Sequence, residues 1–82
     1  MILVVVDVLL FEVSTVDRQA FHREMLARQW TCFSSRENAY CAAMEECETE
    51  ADAVSAVESH IEEVTADVGV KQWSAVCYVP RA

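Results

Sequence analysis

Residues 2–13, ILVVVDVLLFEV, restrict this chain more than any other stretch, because apolar side chains fill both alternating sets. Ile2, Val4, Val6, Val8 and Leu10 fall in one set; Leu3, Val5, Leu9, Phe11 and Val13 fall in the other. Branched aliphatic and aromatic residues favour the pleated strand, and successive strand residues point to opposite faces. A strand apolar on both sides is expected to be covered on both sides, either at the centre of a sheet beneath helices with a partner on the open face or at the centre of a dimer. Asp7 interrupts the run in its middle, and Glu12 is the only other carboxylate in it.

The segments that follow alternate in period. Ser14 with Asp17 three positions on is a capping-box-like pair that opens a helix over about residues 15–29. In that helix Val16, Ala20, Leu26 and Ala27 group together while Phe21 and Met25 lie away from them, so a broad buried face is expected. WTCF, SSREN and AYCAAMEE then read as strand, polar turn (Ser34 to Asn38) and strand, with helix as the competing reading of residues 39–46 because of their alanines and Met44. Thr49 and Asp52 form a second capping pair. Val54, Val57, Ile61, Val64 and Val68 recur at helical spacing, and Gly69 supplies the stop. Residues 71–79, KQWSAVCYV, alternate as a last strand ended by Pro80.

Strand, helix, strand, strand, helix, strand is two split βαβ units. With right-handed crossovers they interleave into a four-stranded antiparallel sheet carrying both helices on one face. The expected fold is therefore α+β, ferredoxin-like βαββαβ, in a single domain over residues 1–82. A chain of 82 residues buries only about 60–65% of the surface its unfolded form exposes, which gives a homodimer a physical motive.

Charge is unevenly spread. The first 36 residues balance four acids against four bases, whereas residues 37–82 hold ten acids against Lys71 and Arg81, so the net charge of −8 lies in the second part. Such a field repels phosphate backbones and attracts basic protein surfaces, so the expected partner is a basic protein surface and not free nucleic acid. The initial apolar run is too short to span a bilayer and contains Asp7 and Glu12, and no basic start with a small-residue cleavage site accompanies it; no membrane partner and a cytoplasmic location are expected. Cys32, Cys41, Cys47 and Cys77 lack C-x-x-C spacing and are expected as reduced thiols, with no metal site. Gly69, the only glycine, is committed to the helix stop, which leaves no glycine-rich phosphate loop; no cofactor is expected.

Among candidate site residues, His22 and His60 lie on different helices with no nucleophile placed beside them, and no catalytic residue is assigned from them. Five acids occupy the eight positions from Glu45 to Asp52. Glu50 and Asp52 have a reason to be there, since acids at a helix start oppose its dipole. Glu45, Glu46 and Glu48 do not. With Glu58, Glu62, Glu63 and Asp67 they are the expected partner-binding carboxylates, able to imitate nucleic-acid phosphates toward a basic groove. Arg23 and Arg28 either form a mixed basic and apolar patch with Met25 and Leu26 or neutralise local acids.

The opening MILVVVDV resembles the small CRISPR-associated ferredoxin-like endonucleases, and the resemblance implies an alternative in which Asp7 is a catalytic, metal-holding acid near a strand end. The element order is also similar to that of small acidic antitoxin ribonucleases, so the alternative is a metal-dependent endoribonuclease or antitoxin. In size and acidity the chain resembles phage-encoded inhibitors of host defence, the anti-CRISPR proteins among them. That resemblance implies a non-enzymatic domain that inhibits or regulates nucleic-acid-processing machinery, and in that reading Asp7 is a structural, hydrogen-bonded residue.

Overall fold

A computed structural model describes residues 2–32 and 39–80. The elements are β1 (Ile2–Phe11), α1 (Thr15–Ala27), β2 (Thr31–Cys32), β3 (Ala39–Met44), α2 (Glu50–Val68) and β4 (Gln72–Tyr78). Every pair of neighbouring strands is antiparallel and the order across the sheet is β2-β3-β1-β4. This is the α+β ferredoxin-like arrangement. Residues 39–44 are strand, which settles the choice left open by their alanines. The expected turn at Ser34 to Asn38 lies outside the described residues.

β1 is central, as its composition requires. Its first part pairs with β3 (Ile2↔Met44 to Asp7↔Ala39) and its last part with β4 (Val5↔Tyr78 to Phe11↔Gln72). The two ladders overlap at Val5, Val6 and Asp7, so these three residues are held from both sides. Val4, Val6 and Val8 point under the helices and join Phe21, Met25, Tyr40, Val57, Ile61 and Val64 in one buried cluster. The other face is the open one. Val5 is 2% exposed, but Leu9 is 54% exposed, Val76 on β4 is 62% exposed, and Leu3, Phe11 and Tyr78 are also exposed. Both helices pack on a single face, so the second apolar set of β1 is left uncovered within the chain.

Both helices begin on the capping pairs read from the sequence: Ser14 Oγ accepts the Asp17 N–H at 3.1 Å, and Thr49 Oγ1 accepts the Asp52 N–H at 3.1 Å. Gly69 ends α2 in the left-handed region at φ 81°, where its missing Cβ removes the penalty an L side chain carries. At the end of α1 that role falls to Gln29, at φ 71°, with the Trp30 N–H returning to the Met25 carbonyl at 3.1 Å. The buried Thr65 hydroxyl donates to the Ile61 carbonyl at 2.8 Å, so this polar group on the core side of α2 is satisfied.

The buried face of α1 is narrower than the broad one expected. Phe21 (3% exposed) and Met25 are inside, whereas Val16 is 69% exposed and Leu26 also faces out. Side-chain area outweighs the number of apolar positions. One phenyl ring and one thioether a turn apart remove more apolar surface from water than a scatter of valine and alanine. Half-buried Asp17, Glu24 and Arg28 share that side. The placement predicts that Met25→Ala costs about 2–4 kcal/mol of unfolding free energy in urea titrations, while Leu26→Ala changes it by less than about 0.5 kcal/mol.

Candidate protein-binding surface

α2 separates the acids that its sequence brings close together. Ala53, Val57, Ile61 and Val64 hold its inner side against the sheet and α1. At 3.6 residues per turn this directs Glu63 and Asp67 to one flank and Glu58 and Glu62 toward the other. On the first flank the Arg28 guanidinium gathers three carboxylates. Its Nε donates to Glu24 at 3.0 Å, one terminal nitrogen donates to Glu63 at 2.9 Å, and the other donates to Asp67. Chiefly through the Glu24 hydrogen bond, these carboxylates hold the Arg28 pKa above its ordinary value. Arg28 therefore acts as a neutraliser between α1 and α2, and two of the seven expected partner-binding acids, both still exposed, are paired to it.

The other five remain outward. Glu45 and Glu46 form the turn after β3, Glu48 precedes the Thr49 cap, and Glu58 and Glu62 are exposed on α2. None of the five makes an ion pair among the described residues. Glu45 and Glu46 stand at a cleft of about 520 Å³ between the end of α1, the end of β3 and α2, which Arg28, Trp30, Cys47 and His60 also line. The buried Trp30 ring meets half-buried His60 edge to face, with centroids 6.4 Å apart. Glu58 lies toward β4. Burial pushes the half-buried Cys77 thiol up from its ordinary pKa, and the negative charge of Glu58 adds to the shift.

Asp7 does not join these acids. It sits in the doubly paired part of β1, on the open face, between Ala39 of β3 and Val76 of β4. It is half-buried and held by an interaction within the chain. It is thus mid-strand, not near a strand end as the endonuclease resemblance implies. Among the described residues no group of three or more His, Cys, Asp or Glu side chains is arranged to hold a metal ion. His22 Nδ1 lies 2.9 Å from the Tyr40 hydroxyl. The four cysteines are unbridged thiols, and no described helix is long and apolar enough to cross a membrane.

Sequence reasoning missed the three-carboxylate clasp on Arg28, because Glu63 and Asp67 lie more than thirty residues away and only the packing of α1 on α2 joins them. The open sheet face was legible in the second apolar set of β1, and Val76 and Tyr78 on β4 extend it. Compared with protein-family models, with curated proteins and with solved structures, the chain matches none.

Two measurements check this geometry. Glu58→Gln should bring the Cys77 pKa down and raise the rate of its alkylation by iodoacetamide at pH 8 by up to a few fold. Peptide mapping should show Cys32, Cys41 and Cys47 reacting as before. Tyr40 is buried, and burial first, then negative charge at Cys32, pushes its phenol up to about 12. A folded pKa above the unfolded value of about 10 means that Tyr40 contributes stability in full below pH 10 and loses it as pH rises through 12. The wild type should lose up to about 2–3 kcal/mol across that window by this route, and urea titrations of Tyr40→Phe should show a correspondingly smaller loss.

Proposed function

We propose that this chain is a protein-binding domain that inhibits or regulates nucleic-acid-processing machinery by occupying a basic protein surface. The observation that carries the reading is the set of five exposed carboxylates, Glu45, Glu46, Glu48, Glu58 and Glu62, which have no ion-pair partner among the described residues. Carboxylates without local counter-charges keep their full field for an approaching partner. Local pairing, as at Glu63 and Asp67, weakens it. The field raises the association rate with a cationic surface at low salt and is screened beyond about 8 Å at physiological ionic strength. Mimicry of phosphates needs only that the charges be fixed and exposed. The β3 turn and the rigid α2 supply that. An anionic backbone would meet repulsion from the same groups.

The reading requires no chemistry at Asp7, and the inhibitor-like character inferred from size and acidity belongs to the same proposal. Tagged protein incubated with a lysate of its source organism should retrieve a basic protein that excess duplex oligonucleotide displaces. Reversal of Glu45, Glu46, Glu48, Glu58 and Glu62 to Lys should abolish the retrieval with the circular dichroism spectrum unchanged. Arg28→Gln, by releasing Glu63 and Asp67, should strengthen it. Retention by the reversed variant would sink the proposal. Magnesium- or manganese-dependent cleavage of labelled RNA that disappears in Asp7→Ala would replace it with the endoribonuclease reading.

A further inference from the structure

The two edges of the sheet are unequal. The described part of β2 is two residues long and stands at one side of the sheet. β4 ends the other side with seven residues, and its register with β1 runs unbroken from Val5↔Tyr78 to Phe11↔Gln72. One line of β4 backbone N–H and C=O groups is used by β1, and the other line points away from the sheet. Edge strands are ordinarily guarded by a charged side chain, a proline, a bulge or brevity. From Gln72 to Tyr78 there is no charge and no proline, and the regular pairing leaves no bulge.

α2 packs against β4, and the exposed Glu58 on that flank acts on Cys77 of β4; Glu62 follows one helical turn on, also exposed. The edge therefore has two different sides. Toward the helices, where Trp73, Ala75 and Cys77 point, lies the acidic flank of α2. Toward the open face, Val76 and Tyr78 present apolar surface. A second copy paired through β4 would bring the Glu58 and Glu62 of one protomer alongside those of the other. Like charges at close quarters oppose that assembly. A cationic strand would instead find counter-charges in the same place.

We propose that β4 is a strand-addition edge for an extended segment of a basic protein, in which Lys or Arg residues alternate with aliphatic or aromatic ones. The cationic set lies under α2 against Glu58 and Glu62, and the apolar set continues the open face beside Val76 and Tyr78. Backbone pairing supplies affinity, and the two sides of the edge supply selectivity. This rests on the reading of the chain as a partner for basic proteins and adds which acids act and what conformation the bound segment takes.

The test uses the full chain and a short capped peptide of alternating lysine and valine, labelled for fluorescence anisotropy. Binding is expected, together with slowed amide exchange on β4. Glu58→Lys/Glu62→Lys is expected to weaken binding at least tenfold, Glu58→Gln/Glu62→Gln to weaken it less, and a glutamate–valine peptide is expected not to bind. In an added strand, the N–H groups of one alternating set face the sheet. N-methylation of the lysines or of the valines, but not of both sets equally, should therefore abolish binding. Equal tolerance of the two methylated peptides would overturn strand addition, as would absence of binding or undiminished binding to Glu58→Lys/Glu62→Lys. If binding fell instead with Glu45→Lys/Glu46→Lys/Glu48→Lys, the edge proposal would fail while the basic-partner reading stood. A free chain that sediments as a dimer with β4 amides already protected would overturn the proposal in favour of a second copy as occupant.

Discussion

The pairing of β1 with β3 on one side and β4 on the other is the contact on which the rest of the molecule depends. These two ladders overlap for three residues only, Val5 to Asp7, and the strands before and after α2 are joined through β1 alone. Val4, Val6 and Val8 then give both helices a common floor. α1 lands on it through Phe21 and Met25, and α2 lands through Val57, Ile61 and Val64. Once the helices are down, Arg28 comes within reach of Glu63 and Asp67, and the charge distribution of the surface is decided. The acids available to a partner are thus a consequence of core packing. They cannot be read from the number of acids in the chain.

That dependence explains how much of the molecule was legible beforehand. Element order, the centrality of β1, both helix caps and the Gly69 stop follow from local chemistry, since each concerns residues within one turn of a helix or one step of a strand. The inner side of α1 was expected to be broad because counting apolar positions gave Val16, Ala20 and Ala27 equal weight with Phe21 and Met25; it is narrower, since burial is a matter of area. The expected carboxylate surface was read correctly as to exposure, but its seven members were treated as one patch. Sorting them required the neighbours of α2: α1 and Arg28 on one flank, β4 and Cys77 on the other. No pattern within residues 45–67 contains that information.

The expectation that both faces of β1 are covered asks for a partner or a second copy on the open side. With both helices on one side, no further element among the described residues lies over Leu3, Leu9, Phe11, Val76 and Tyr78. Two helices over four strands leave one sheet surface outward, and a short chain cannot fold back to cover it. Asp7 lies in the middle of this surface, already held within its own chain. A single half-buried acid among aliphatic side chains interrupts the apolar area and raises the cost of stacking another apolar face squarely upon it.

A strongly acidic chain with an apolar sheet surface and an unguarded edge faces a risk of self-association, and the position of its charge bears on that risk. The residues of the edge itself are neutral, which keeps the backbone approachable. The acids stand on α2, where, in the strand-addition proposal, they would repel a copy of the same chain and attract a cationic segment. Guarding charges within β4 would have discouraged every strand alike, whereas charges displaced onto the helix discriminate by the sign of the visitor. On the proposed reading, Glu58 and Glu62 on one flank of α2 would select what approaches the sheet edge, while Glu63 and Asp67 on the other are paired to Arg28 and fasten α2 to α1.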